Sequence, residues 1–228
     1  MGKQWPPLSS QLPSASGKDK EKPILIAGHG FGGTPYEWDE LCEYLESNSS
    51  VRVSQVLLGG HGSSFAVLEK SSWEEWGEPL LREYHALSNK GYRSIHWIGC
   101  STSCALIAYY LWKRQIAASE KGTKVFFVDP FLKLRSPMFK WLPLLKFFKS
   151  SVDMREGRTE IANLHWHPFY PTKALDQLRI LGKNVESILK SGFKLPSHMD
   201  LTLYQADQDP RLDFRNTRLP MVGRCTIE

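Results

Sequence analysis

The chain lacks any apolar stretch approaching the ~20 residues that a membrane-spanning helix needs. Its first segment, Met1 to Lys22, holds no apolar core of a secretory signal. Gly2 follows Met1, but Pro6 stands where the myristoylation pattern requires Ser or Thr. Cysteine is scarce: Cys42, Cys100, Cys104 and Cys225 are the only four, and no two form a Cys-x-x-Cys pair. The spacing of Cys100 and Cys104 misses the short knuckle of zinc sites. These cysteines read as reduced thiols of a cytosolic protein, with no metal and no organic cofactor implied. Acid is missing altogether from Phe131 to Ser151. Histidine is missing after Asp209.

What remains is an ordinary globular mixture. Apolar residues make up 41% and charged residues 23% of 228, which excludes disorder as a whole. The length suffices to bury a core without disulfides or a structural metal. Residues 1–22, rich in Pro, Ser and Lys, read as a flexible tail. From Pro23 the pattern alternates. Short apolar runs at Ile24–Ala27, Val51–Leu58, Ser94–Ile98 and Lys124–Val128 read as buried strands. Between them lie helical spacings: Trp38, Leu41, Cys42 and Leu45, then Ala105 to Leu111. Ser72-Trp73-Glu74-Glu75 is a capping box that should open a helix toward Lys90, with Pro79 placed to kink it. A helix over Thr172–Lys190 and a strand over Leu201–Tyr204 follow. The rhythm predicts an α/β fold: a mostly parallel sheet with helices on both faces. It divides the chain into a tail (1–22), a first core part (23–129), a cap or lid insertion (130–171) and a second core part (172–228).

Four segments could carry chemistry. Gly99-Cys100-Ser101-Thr102-Ser103 lies between a strand and a helix, the setting of a nucleophile elbow. Such a turn lifts a serine hydroxyl clear of the sheet, at a helix N-terminus with unpaired N–H groups. Read alone, it is equally an ordinary turn capped by Ser101. His29-Gly30-Phe31-Gly32-Gly33 follows the first strand and could form an oxyanion hole, with the N–H groups of Phe31 and Thr102 as donors. It could also be a plain glycine turn. In Gly59-Gly60-His61-Gly62-Ser63-Ser64, a histidine that braces neighbouring loops is the better reading than a base. Asp209 follows the late strand, where an acid is well placed to orient a histidine, although Asp-Pro is also a common turn.

Taken together and in order, these segments resemble the α/β-hydrolase fold, and more narrowly the small bacterial-type carboxylesterases and monoacylglycerol lipases. The matching residues are His29 to Gly33, Gly60 to Ser64, Trp73-Glu74-Glu75-Trp76, Gly99 to Ser103 with its last Gly replaced, and Asp209 with Asp213. The resemblance implies a serine ester hydrolase acting on short acyl esters or monoacylglycerol-like lipids. Ser101 would be the nucleophile and Asp209 the acid. It also implies a catalytic histidine after the acid. All seven histidines (His29, His61, His85, His96, His165, His167, His198) precede Asp209, and Arg211 to Glu228 shows no clear final helix and strand. Three accounts follow: a truncated or altered C-terminus, a non-catalytic relative that binds a hydrophobic ligand or a protein partner, or a base recruited from His165 or His167 with Asp129 as a rival acid. The first two are preferred. Loss of a triad member leaves only the ~10³–10⁴-fold over water that binding and the oxyanion hole supply, so turnover should be slow or undetectable.

Phe131 to Ser151 carries five cations, equal to the net charge of the whole chain, +5. They are interleaved with eleven apolar or aromatic residues. This reads as a cap packed on the core, with a lid that touches an anionic membrane surface as the functional alternative. No recognition motif accompanies the cations, which argues against nucleic acid as a partner.

Overall fold

The computed structural model describes residues 5–118, 122–132, 138–156, 158–205 and 225–227. In chain order the elements are α1 (Leu8–Gln11), β1 (Ile24–Gly28), α2 (Asp39–Asn48), β2 (Arg52–Val56), α3 (Phe65–Lys70) and α4 (Trp73–Asn89). Then come β3 (Ile95–Cys100), α5 (Thr102–Trp112), β4 (Thr123–Val128), α6 (Met138–Phe148), β5 (Ser151–Asp153) and α7 (Glu160–His165). The chain continues with β6 (Phe169–Pro171), α8 (Thr172–Lys190), β7 (Met199–Tyr204) and β8 (Cys225–Ile227). Two 3-10 turns, Gly17–Glu21 and Pro35–Trp38, flank β1.

Parallel neighbours need crossovers, and the helices supply them. Six strands form one sheet in the order β2-β1-β3-β4-β7-β8, with every pair parallel. The order doubles back at β1, so β1 and β3 are adjacent and their C-terminal ends meet in register, Gly28 beside Gly99. Side chains alternate across β1. Ile24 and Ile26 enter the larger core with Trp76, Trp97 and Leu106, while Leu25 and Ala27 face a smaller core with Trp38, Cys42 and Ile98. Burial on both faces is why these strands are continuously apolar in sequence.

The capping box forms as expected: Ser72 Oγ accepts from the Glu75 N–H and Glu75 accepts from the Ser72 N–H. The helix it starts runs to Asn89 through Pro79. Proline removes one helical hydrogen bond at that turn. The Gly59 N–H binds the Trp76 carbonyl there at 3.1 Å and braces the same stretch from outside. Between β4 and α8 lie α6, α7 and a separate antiparallel pair, β5 with β6. In place of the final strand expected to be missing or altered there is a three-residue strand, β8, on the edge of β7.

Within the segment expected to be a flexible tail, Ser9, Leu12 and Ala15 pack against the core, and the reason is a buried acid. Glu83 of α4 is only 3% exposed. Burying a carboxylate without donors is costly, and Ser9 supplies two of them, its N–H at 2.9 Å and its hydroxyl at 2.6 Å. Ser54 Oγ adds a third at 2.6 Å. Leu12 is buried in the main core, and the Ala15 N–H binds the Lys90 carbonyl at 2.6 Å. Ser9→Ala therefore strips a donor from a buried carboxylate and should lower the unfolding free energy by about 1–3 kcal/mol. Urea denaturation checks this, and an unchanged midpoint would mean that the docked segment contributes nothing.

Candidate active site

Ser101 joins β3 to α5 at φ 48°, ψ −103°. A non-glycine residue there costs about 1–3 kcal/mol and persists only where its surroundings fix it. Two backbone bonds do so: the Ser101 N–H donates to Val128 O at 3.0 Å, and the Phe131 N–H donates to Ser101 O at 3.2 Å. An ordinary capping serine would accept a helix N–H on its side chain. Ser101 makes no such bond. Its hydroxyl is thus not engaged in capping, and the Thr102 N–H beside it heads α5 without an intrahelical acceptor.

The replaced glycine of the elbow is explained by the opposite strand. Ser103 is fully buried and its hydroxyl donates to His29 O at 2.5 Å. A Cβ added to Gly28 would sit 2.6 Å from Ser103 Oγ, and one added to Gly99 would sit 2.9 Å from the Cys104 nitrogen. The tight approach of helix to sheet is kept because Gly28, with no side chain, leaves room for Ser103.

The glycine loop is held by its carbonyls. His29 O takes the Ser103 hydroxyl, and Gly30 O takes the His29 ring at 2.8 Å and the Gly33 N–H at 3.2 Å. Phe31 O takes the Tyr170 hydroxyl at 2.9 Å, and Gly32 O takes the His167 N–H at 2.8 Å. In a trans peptide the N–H points opposite its carbonyl. Fixing Gly30 O therefore fixes the direction of the Phe31 N–H. The last two bonds come from the segment around β6, which lands on the loop. A Cβ on Gly32 would lie 2.2 Å from the Tyr170 ring, and one on Gly33 would lie 2.7 Å from Trp166 Nε1. Arg158 donates to the Tyr170 hydroxyl at 2.8 Å and the His167 carbonyl at 2.9 Å.

Of the histidines near the loop, both ring nitrogens of His29 are engaged, whereas His61 Nε2 and His167 Nε2 are buried without a hydrogen-bond partner. His29 Nε2 accepts from the Leu58 N–H at 3.1 Å, so its proton sits on Nδ1. His61 Nδ1 faces Gly59 O at 2.9 Å, and its ring packs edge-on against His29, Phe31 and Trp76. This is a brace for neighbouring loops. Burial disfavours the charged form of both rings, taking His29 down to about 3 and His61 to about 4. His165 stacks on Tyr36 at 3.6 Å between ring centres. Burial also lowers His167. Among the described residues no histidine ring hydrogen-bonds the Ser101 hydroxyl. Asp209 and Asp213 lie outside the described residues. Asp129 follows β4 at φ 42°, with its N–H on Tyr204 O at 2.8 Å and its carboxylate accepting from Gln205 at 3.1 Å.

Sequence reasoning missed Glu37. It sits on the 3-10 turn after the glycine loop, accepts the Gly30 N–H at 2.9 Å and lies, with Cys100 Sγ, on one side of Gly30. Burial raises its carboxyl and pushes the Cys100 thiol well up. No spacing in the sequence marks this residue.

The same overall fold recurs in solved structures. One is a structure described with LipS and LipT, two metagenome-derived lipolytic enzymes, with TM-score 0.70 and 18% identity over 91% of this chain and 84% of that one. A soluble variant of monoglyceride lipase from Saccharomyces cerevisiae gives 0.65 and 12%, over 95% and 80%. The monoacylglycerol lipase of Paleococcus ferrophilus gives 0.61 and 16%, over 91% and 84%. The chain has the α/β-hydrolase fold. No family model matches it, and neither does any curated protein. Ser101 lies on the turn after β3 and Phe31 in the loop after β1.

The neutral histidines give the site an acid limit. Their folded values lie below the ordinary 6.5, so below that pH the unfolded chain binds more protons than the folded one. Stability should be full above pH ~6.5 and fall by up to about 1.4 kcal/mol per pH unit per histidine down to about pH 4. Thermal unfolding at pH 7 and pH 5 checks this. His61→Gln should flatten the slope.

Proposed function

We propose that this chain is a serine carboxylic ester hydrolase in design, acting on short acyl esters or monoacylglycerol-like lipids. Ser101 attacks the ester carbonyl, the N–H groups of Phe31 and Thr102 hold the oxyanion, and Asp209 is the acid. The observation that carries this reading is the uncapped, positive-φ Ser101 on a strand-to-helix turn beside a clamped glycine loop. The lipolytic and monoglyceride lipase neighbours support the substrate class. Attack requires that the Ser101 proton be accepted as the Oγ–C bond forms, and departure of the alcohol requires that a proton be returned. No histidine follows Asp209 in the sequence to do this. The absence of a histidine bonded to Ser101 among the described residues supports a second reading, a non-catalytic protein that binds a hydrophobic ligand or a partner. A fluorophosphonate probe separates the two. Labelling of the wild type that is lost in Ser101→Ala supports the hydrolase, with ester turnover slow. A folded protein that takes no label would sink it.

The segment between β4 and α8 supports delivery of substrate from a lipid surface. On α6, Trp141 is 61% exposed, Phe147 76% and Phe148 87%. Leu144, and Leu164 on α7, are exposed as well. The surrounding run, Phe131 to Ser151, has five cations and no acid. No helix among the described residues is long and apolar enough to cross a membrane, so this contact would be interfacial. The free thiols of Cys100 and Cys104 support a reduced, cytosolic setting. Flotation should show binding to vesicles of phosphatidylcholine with phosphatidylglycerol and little to phosphatidylcholine alone. Trp141→Ala with Phe148→Ala should weaken that binding by about tenfold or more, since burying a large apolar side chain contributes ~1.5–3 kcal/mol. Equal binding by the double variant would rule the contact out.

A further inference from the structure

We propose that Glu37 is a positioning residue that locks the glycine loop to the serine turn. This rests on the hydrolase reading of Ser101 and adds a residue that the reading does not contain. The glycine loop brings few side chains of its own to hold its shape. The carbonyls of residues 29–32 are tied down, as described above, by side chains and backbone from three directions. The Gly30 N–H is tied by a side chain too, and that side chain is Glu37, at 2.9 Å. The peptide joining His29 to Gly30 is therefore gripped at both ends: Ser103 of α5 holds its carbonyl and Glu37 holds its N–H.

The same carboxylate reaches the other half of the site. Cys100, the last residue of β3 and the neighbour of Ser101, brings its Sγ to the same side of Gly30 as the Glu37 carboxylate. The convergence is close. The point where a Gly30 side chain would begin is 3.6 Å from Glu37 Oε2, 3.6 Å from Ser101 Cβ and 3.9 Å from Cys100 Sγ. Carboxylate, thiol and serine thus surround one glycine. A carboxylate can accept several bonds at once, and a charged acceptor holds an N–H more firmly than a neutral one. Glu37 consequently sets the distance between the Phe31 N–H, one peptide further along, and Ser101. Misplacement by about 1 Å at such a site can slow chemistry ~10²-fold.

The test compares full-length wild type with Glu37→Ala and Glu37→Gln, each checked for folding by circular dichroism. Two quantities are read: the rate and affinity of Ser101 labelling by an alkyl fluorophosphonate, and hydrogen exchange at the Gly30 amide. Glu37→Ala should slow labelling at least about tenfold through the maximal rate rather than the affinity, and should speed exchange at Gly30. Glu37→Gln keeps an oxygen for the same N–H, so it should stay within about threefold of wild type in both. Wild-type labelling in Glu37→Ala overturns the proposal, as does a Glu37→Gln variant as impaired as Glu37→Ala. If wild type takes no label, the hydrolase reading fails. Gly30 exchange then decides the positioning role by itself: faster exchange in Glu37→Ala upholds it and unchanged exchange overturns it.

Discussion

The backbone at Ser101 is the constraint on which the site depends. A non-glycine residue at φ 48° does not stay there unaided. It is held because its N–H and its carbonyl are both used, by Val128 at the end of β4 and by Phe131 just beyond it. That requires β4 to lie beside β3 in register, which in turn requires the parallel sheet and its crossover helices. The turn then lets α5 start almost against the sheet, and glycines at 28 and 99 are what make room for it.

The glycine loop after β1 has a different logic. Its glycines make room for an approaching segment. Tyr170 and Trp166 occupy the space that side chains at Gly32 and Gly33 would fill, and Tyr170 and His167 take loop carbonyls. The loop is thus the floor on which the inserted segment stands, and its shape is shared between the two. His29 and His61 fill the layer beneath it as neutral rings packed with Phe31 and Trp76.

Much of this was legible in the sequence because local rules and the global fold agree. Ile24 to Ala27 is apolar throughout because it is buried on both faces, and Ser72 with Glu75 announces a helix that forms where expected. The serine turn and the glycine loop were legible as a pair because both are strand ends rich in small residues. What escaped was long-range. Nothing near Ser9 shows that it will neutralise the burial of an acid in α4, so a Pro- and Ser-rich stretch looked like a tail. Glu37 resembles any acid beside a helix start, and only the folded chain brings it to Gly30 and Cys100. The short strands β5 and β6 are stabilised by each other and carry no periodicity long enough to read.

The fit of Ser103 against Gly28 has a consequence for how such sites are recognised. The elbow is usually sought as a run of five adjacent residues with a small one at each end. Here the freedom from a side chain is supplied by a residue on another strand, and the serine in the vacated place caps the carbonyl of His29. The room is made in space rather than along the sequence. A search that insists on contiguous glycines would pass over this chain, whereas one that asks which pair of positions leaves room for a single Cβ would find it.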